Sequence, residues 1–154
     1  MAACGSSSLG LRNTPVADRK SNVRRSQAND LDLREKKTWP KDCSEVIRDR
    51  VSGVFFIQPT DLRQIIVYCD FSTSDGWTVL QRNHKDTGIT WAEFWSTHRY
   101  GFGNVQENYW PGMEYMHQIA KQKVYQVKFV IYDSMGSMKY SDYNLFGVED
   151  ESKG

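Results

Sequence analysis

Residues 76–82, which read Gly-Trp-Thr-Val-Leu-Gln-Arg, constrain the fold of this chain more than any other stretch. Aromatic and β-branched residues dominate the run, and it follows a turn signal at Asp75 and Gly76. Strict alternation assigns its side chains to two faces: Trp77, Val79 and Gln81 to one, Thr78, Leu80 and Arg82 to the other. This pattern predicts a strand that lies between two packed layers.

Charge and aromatic content divide the chain near residue 38. Residues 1–40 hold eight basic and four acidic residues, whereas the remainder holds twelve basic and fifteen acidic residues. Neither imbalance is large enough to indicate binding to nucleic acid or to a membrane surface. All aromatic residues lie at or after Trp39. We therefore predict a disordered or weakly helical segment over residues 1–38 and a packed domain over residues 39–154.

Three cysteines give conflicting indications about the compartment. Cys43 and Cys69 lie in patterned sequence, while Cys4 lies in a stretch rich in Ser and Gly. A bridge between Cys43 and Cys69 is the simplest pairing, leaves Cys4 unpaired and implies an oxidising compartment. Against that, the first twenty residues lack the apolar run of a signal peptide, and no stretch approaches the length of a transmembrane helix.

The remaining periodicity predicts short elements throughout the packed part. We predict a short helix over residues 44–50 capped by Ser44, strands over 54–57 and 64–68, a helix over 114–120, and a hairpin of strands 124–132 and 138–145. Thr90 and Glu93 form a capping-box pattern, which predicts that a helix begins there and ends at Gly101. That helix places four rings on one face: Trp91, Phe94, Trp95 and His98. Such an aromatic stripe usually faces a core.

Signals for catalysis are absent from the sequence. His84, His98 and His117 are scattered and form no pair at metal-ligand spacing. The chain contains no Gly-x-Ser-x-Gly motif, phosphate loop or dinucleotide fingerprint. We therefore predict that the protein is not an enzyme. Leu31 and Leu33 do not continue a heptad, so no coiled coil is predicted, although an oligomer is still compatible with the sequence.

Together these segments resemble the fibrinogen C-terminal domain, the globular module of fibrinogen chains, ficolins, angiopoietins, tenascins and fibrinogen-like proteins. Among these proteins, the short secreted fibrinogen-like proteins have the sequence segments that this chain resembles most. The segments that carry the resemblance occur in the family's order: Asp42-Cys43-Ser44, Ser52-Gly53-Val54, Val67-Tyr68-Cys69-Asp70, residues 76–82, Trp91, Tyr100-Gly101-Phe102-Gly103-Asn104 and Asn108-Tyr109-Trp110-Pro111-Gly112.

The resemblance implies an α+β fold. It predicts a small N-terminal β unit tied by a Cys43–Cys69 disulfide, followed by part of a central antiparallel sheet flanked by short helices. It also assigns a structural signature to nine residues: Gly76, Trp77, Trp91, Gly101, Phe102, Gly103, Asn104, Trp110 and Gly112.

The resemblance also implies that the second half of the family domain is absent from this sequence. In the family, that half holds the calcium loop and the ligand pocket, so we predict no cofactor and no metal site here. The family's last strand also returns to complete the central sheet, so we expect this chain to expose an unpaired strand edge.

By resemblance, the function is non-catalytic extracellular recognition of a protein or glycan partner, with neither nucleic-acid binding nor membrane insertion. Tyr109 and Trp110 are the candidate binding residues, since exposed aromatic side chains serve as interface anchors. The more ordinary interpretation is that Trp110 belongs to the core. The alternative function is that of a truncated isoform or degenerate paralogue without ligand-binding activity of its own.

Overall fold

The computed structural model describes residues 7–13, 38–47, 50–85 and 88–153. Within these ranges, eight strands form one antiparallel sheet accompanied by two short α-helices, which confirms the predicted α+β class. The strands are β1 (Ser7–Asn13), β2 (Gly53–Ile57), β3 (Ile65–Asp70), β4 (Trp77–Asn83), β5 (Phe102–Gly103), β6 (Tyr109–Trp110), β7 (Tyr125–Tyr132) and β8 (Met138–Phe146). The helices are α1 (Trp95–Tyr100) and α2 (Met113–Ala120).

The strands follow the order β2-β3-β4-β1-β7-β8, and the short pair β5 and β6 joins β4 where Arg82 faces Tyr109. The predicted N-terminal β unit is the pair β2 and β3. It is not separate from the central sheet, because β3 pairs directly with β4 through Tyr68 opposite Val79. The hairpin of β7 and β8 is also confirmed, and it turns through residues 133–137.

Strand β1 corrects one prediction. Residues 7–13 are not disordered: they lie between β4 and β7 and pair antiparallel with both. The sheet is therefore continuous between β4 and β7, and its edge strands among the described residues are β2 and β8. The other residues of the predicted disordered segment, 1–6 and 14–37 with Cys4 among them, lie outside the described residues, apart from Thr38.

The core lies between one face of the sheet and α2. Leu80 and Ile119 are fully buried there, and further members come from β1, β7 and α2: Leu9, Leu11, Val127 and Met116. Residues 77–80 of β4 are all buried, which confirms a strand covered on both faces.

Strict alternation fails after Leu80. The pairing of β1 with β4 shifts between Leu9 and Gly10, so that Leu80 has no residue directly opposite. Leu9, on the core face, is paired with Gln81, and the Arg82 guanidinium lies over the Tyr68 ring on the other face. A β-bulge therefore exchanges the faces predicted for Gln81 and Arg82, because an extra residue reverses the side-chain order beyond it.

Of the helix predicted over residues 44–50, residues 48 and 49 lie outside the described residues, and the described part forms a single 3₁₀ turn at Cys43–Glu45. Asp42 caps this turn, since its carboxylate accepts a hydrogen bond of 2.9 Å from the Ser44 amide. The following β-branched residues Val46 and Ile47 favour extended backbone over helix. The turn is held to the sheet because the Cys43 amide donates to the Thr78 hydroxyl at 3.0 Å.

Asp42 also joins this turn to β7. Its second carboxylate oxygen accepts hydrogen bonds from the Tyr125 hydroxyl at 2.7 Å and the Lys123 ammonium at 3.0 Å. Only 1% of Asp42 is exposed. Burial by itself raises the pKa of Asp42, but the hydrogen bonds from Ser44, Tyr125 and Lys123 outweigh it, and the pKa lies below its usual value. The ionised carboxylate is therefore the form that the fold stabilises.

The Cys43–Cys69 disulfide is present, with a Cα–Cα distance of 5.5 Å and both residues fully buried. Removing it in a Cys43→Ala/Cys69→Ala variant is expected to lower the free energy of unfolding by about 3.5 kcal/mol, because the unfolded chain regains the entropy of a loop that spans 26 positions. Urea unfolding followed by tryptophan fluorescence measures this loss. Reduced wild-type protein should unfold at the same urea midpoint as the variant. A midpoint equal to that of the oxidised wild type in both samples would contradict the prediction.

Candidate functional site

Helix α1 begins later than the capping-box pattern predicts. The Thr90 hydroxyl accepts a hydrogen bond of 3.1 Å from the Ala92 amide, which forms a local turn instead of a helix cap. The helix begins at Trp95, with Phe94 at its N-cap position and no side-chain cap. This delay separates the predicted aromatic stripe into an inward group and an outward group.

The inward group forms an aromatic cluster between α1 and the β5–β6 pair. Trp91 and His98 each lie 5.3 Å from the Phe102 ring, measured between centroids, and His98 lies 6.1 Å from Trp110. All three contacts are T-shaped or edge-on, a geometry that aromatic rings prefer. The cluster fixes the position of α1 and brings together four residues from the segment 91–110: Trp91, His98, Phe102 and Trp110.

Tyr109 and Trp110 are not exposed anchors. Both are half-buried, and Trp110 packs against the hydrophobic core. The Trp110 indole donates a hydrogen bond of 2.8 Å to the His98 carbonyl, and the Tyr109 hydroxyl lies 3.5 Å from the Ile66 carbonyl. Burial, with a smaller effect of Tyr115, raises the pKa of Tyr109 to about 12. The core interpretation of Trp110 therefore agrees with the structure, while the binding role of both residues stays a prediction.

The outward group forms a solvent-exposed aromatic surface. Phe94 is 83% exposed and Trp95 is 62% exposed, and Tyr100 at the end of α1 is also exposed. The Arg99 guanidinium lies 5.1 Å from the centroid of the Tyr100 ring. We call these residues, with Met113 at the start of α2, the α1 surface: Phe94, Trp95, Arg99, Tyr100 and Met113.

A cleft of about 600 Å³ opens directly beside the α1 surface. Trp95, Arg99 and Met113 line one side of it, and Glu114 and His117 of α2 continue the wall. Residues 148–152 form the opposite side. His117 holds that segment in place, because its Nδ1 lies 2.6 Å from the Val148 carbonyl.

The rim of the cleft is acidic. Arg99 is paired with Glu151 at 2.9 Å and Lys153 with Glu149 at 3.3 Å, while Glu114 and Asp150 add two further carboxylates around the opening. The hydrogen bonds from Ser152 lower the pKa of Asp150, and the nearby His117 and Lys153 act in the same direction. A cleft with apolar walls and an acidic rim fits a lysine or arginine side chain, whose stem is apolar and whose end is positively charged.

A second, smaller cavity of about 260 Å³ lies on the sheet face opposite the core. Trp77, Val79 and Gly10 form its floor, and Lys128 lies between Trp77 and Tyr140, with its ammonium 4.7 Å and 5.1 Å from the two ring centroids. Because Trp77 is almost fully buried, it offers no free ring face for a sugar to stack on.

Among the described residues, no three His, Cys, Asp or Glu side chains gather closely enough to hold a metal ion. Within the same ranges, neither α1 nor α2 has the length and apolar character that a helix needs to cross a bilayer.

The sequence of the packed part matches a known protein family. The family model for the C-terminal globular domain of fibrinogen beta and gamma chains matches residues 39–154. The chain belongs to the fibrinogen C-terminal domain family.

Individual relatives agree with this assignment. The fibrinogen-like protein 1-like protein of Gallus gallus is 47% identical over 116 residues, which cover 75% of this chain and 41% of that protein. Among solved structures, the fibrinogen-like globe domain of human ANGPTL2 is 29% identical with a TM-score of 0.69, covering 73% of this chain and 54% of that chain. A lamprey fibrin D-dimer complexed with a Gly-His-Arg-Pro-amide peptide is 27% identical with a TM-score of 0.70, covering 82% of this chain and 42% of that chain.

The chain spans about two fifths or less of the length of the curated relatives it matches. Its fibrinogen-like fold is nevertheless the one the signature residues predict, since the solved relatives share it. Gly76 directly precedes β4 and Trp77 begins it, and the other signature residues lie around the connection from α1 to α2: Trp91, Gly101, Phe102, Gly103, Asn104, Trp110 and Gly112.

Sequence reasoning missed the exposed part of the fibrinogen-like domain. Phe94 and Trp95 were assigned to a stripe facing the core, but they lie on the α1 surface. The signal that separates them from Trp91 is the N-cap position of Phe94, which the Thr90 pattern obscured. The acidic segment 149–151 lines the cleft beside them.

Proposed function

We propose that this fibrinogen C-terminal domain is a non-catalytic, extracellular binding module that recognises a protein partner through the α1 surface and its cleft. The observation that carries the proposal is the exposure of Trp95 and Phe94 next to Arg99, at the mouth of a cleft of about 600 Å³. Tryptophan, tyrosine and arginine are enriched among the few residues that dominate the binding energy at protein interfaces.

The acidic rim specifies the partner further. Glu114 and Glu149 favour a partner that inserts a lysine or arginine side chain into the cleft, with the apolar stem against Trp95 and Met113. Opposite charges around the opening also accelerate association, and salt weakens this effect. A protein partner is favoured over a glycan because the exposed side chains are spread over a broad surface instead of one stacking platform.

A binding screen tests the proposal. The chain, secreted as a dimeric fusion to an antibody Fc segment, is applied to a panel of purified receptor ectodomains and to a glycan array. We expect at least one ectodomain to bind, and Trp95→Ala to weaken that binding about tenfold or more. Phe56→Ala is the matched control, because Phe56 is a half-exposed aromatic residue of edge strand β2, outside the α1 surface.

The outcomes separate the candidate functions. Loss of binding in Trp95→Ala but not in Phe56→Ala supports the α1 surface, and a further loss in Glu114→Lys supports the basic side chain in the cleft. Equal effects of Trp95→Ala and Phe56→Ala would place the interface elsewhere. Binding only to glycans contradicts a protein partner, and no binding by folded protein favours the alternative of a relative without ligand-binding activity.

A further inference from the structure

The strand at the centre of the sheet comes from outside the family domain. The family match covers residues 39–154, whereas β1 is formed by residues 7–13. β1 nevertheless pairs along its whole length with β7, from Ser7 opposite Ile131 to Asn13 opposite Tyr125. On its other side it pairs with β4, from Ser7 opposite Asn83 to Leu11 opposite Thr78. The family domain thus receives its central strand from a segment that is not part of it.

The two leucines of β1 fill a gap in the core. Leu11 is 1% exposed and Leu9 is also buried, and both pack in the core cluster that contains Leu80 and Val127. Without β1, these apolar side chains and the facing backbone amides and carbonyls of β4 and β7 would lose their partners. The gap between β4 and β7 is therefore a slot for an apolar extended segment, which contacts β4, β7 and the core.

The slot selects for a small residue between the leucines. A Cβ atom at Gly10 would lie 3.3 Å from Trp77 Cβ, 3.4 Å from Trp77 Cε3 and 3.6 Å from the Thr78 carbonyl oxygen. An alanine would be a tight fit, and a branched side chain would collide with the indole. Arg12 adds a polar contact at the end of the slot, because its guanidinium donates to Asp75 and Gln126 and lies 5.1 Å from the centroid of the Trp77 ring.

We propose that the gap between β4 and β7 is a peptide-binding slot for an extended Leu-Gly-Leu-Arg segment. In this chain its own residues 7–13 occupy the slot as a tethered ligand, and the same segment supplied by a separate molecule binds there once the tether is cut. Backbone hydrogen bonds to both neighbouring strands supply affinity, while the two leucine positions and the glycine position supply specificity. Because the covalent connection makes binding of residues 7–13 intramolecular, the intact chain excludes competitors.

A cleavage and exchange experiment on the folded full-length chain tests this. A protease recognition sequence is inserted between residues 14 and 37, and the purified chain is cut after folding. We expect the N-terminal fragment to stay with the body in gel filtration. A fluorescent peptide of residues 7–13, blocked at both ends, should then replace it slowly and saturably, whereas the uncut chain should bind at least tenfold less peptide.

Matched peptides test the specificity. Gly10→Val and Leu9→Asp/Leu11→Asp peptides should bind the cut protein at least tenfold more weakly, while a Ser7→Ala peptide should bind like the wild type. The amides of β4 and β7 should exchange as slowly when the peptide occupies the slot as when the original fragment occupies it. Dissociation of the fragment at once, whether the body stays folded or unfolds, overturns the proposal. So does binding that is equal for the wild-type and variant peptides.

Discussion

Gly112→Ala is expected to lower the free energy of unfolding by about 4 kcal/mol, which is a large part of the roughly 5–15 kcal/mol by which most domains are stable. Gly112 adopts φ +99° and ψ 144°, a conformation that costs other residues about 1–3 kcal/mol. A Cβ there would also lie only 2.6 Å from the Arg99 carbonyl oxygen and the Gly101 nitrogen. Because these are backbone atoms, the clash moves the connection between α1 and α2 and adds about 1–3 kcal/mol.

Gly136→Ala is the matched control for this prediction. Gly136 also has a positive φ, of +81°, but nothing lies within 4 Å of the position where its Cβ would be. Gly136→Ala should therefore lower the free energy of unfolding only by the cost of the backbone conformation, about 1–2 kcal/mol. Urea unfolding followed by near-ultraviolet circular dichroism measures both variants. Equal losses would show that the packing around Gly112 contributes nothing.

Asp42→Ala is expected to lower the free energy of unfolding by about 3–5 kcal/mol at neutral pH, because it leaves Lys123 and the buried Tyr125 hydroxyl without their shared acceptor. Burial raises the pKa of Tyr125 and the proximity of Asp42 raises it further, so the tyrosine stays neutral and acts only as a donor. Glu107→Ala, at an exposed carboxylate, should change stability by less than about 0.5 kcal/mol.

The effect of Asp42 has a defined pH dependence. The folded state lowers the pKa of Asp42 below its unfolded value of about 3.9. Its contribution is therefore complete above that value and is lost as the pH falls through the lower, folded-state pKa. In urea unfolding between pH 2 and pH 7, the difference between wild type and Asp42→Ala should shrink toward acid pH. A constant difference over this range would show that the carboxylate charge is not involved.

The sequence predicts the regular elements well where their pattern is local. Helix α2 and strands β3, β4 and β7 lie within a residue or two of the predicted positions, because periodic apolar residues face the core. The start of α1 could not be predicted, since the Thr90 hydroxyl satisfies a turn as readily as a helix cap. Local propensity does not decide between those two uses.

Strand β1 could not be predicted from its local sequence, for a different reason. Leu9 and Leu11 are its only large apolar residues, and a segment so rich in serine and glycine resembles a loop. Its conformation depends on β4 and β7, which are distant in sequence. The exposure of Trp95 has the same origin, because a helix face becomes inward or outward only when the cluster around Phe102 fixes the helix orientation.

The central position of β1 has a consequence for how the protein is made. Residues 7–13 leave the ribosome well before the strand that completes their pairing, which ends at Tyr132. Synthesis at about 5–20 residues per second delays that pairing for several seconds. During this interval β1 lacks one of its two partner strands, and contacts so far apart in sequence form slowly. The two leucines of β1 therefore stay exposed to other chains until β7 has been synthesised, and a chaperone that covers them during that time would favour correct folding.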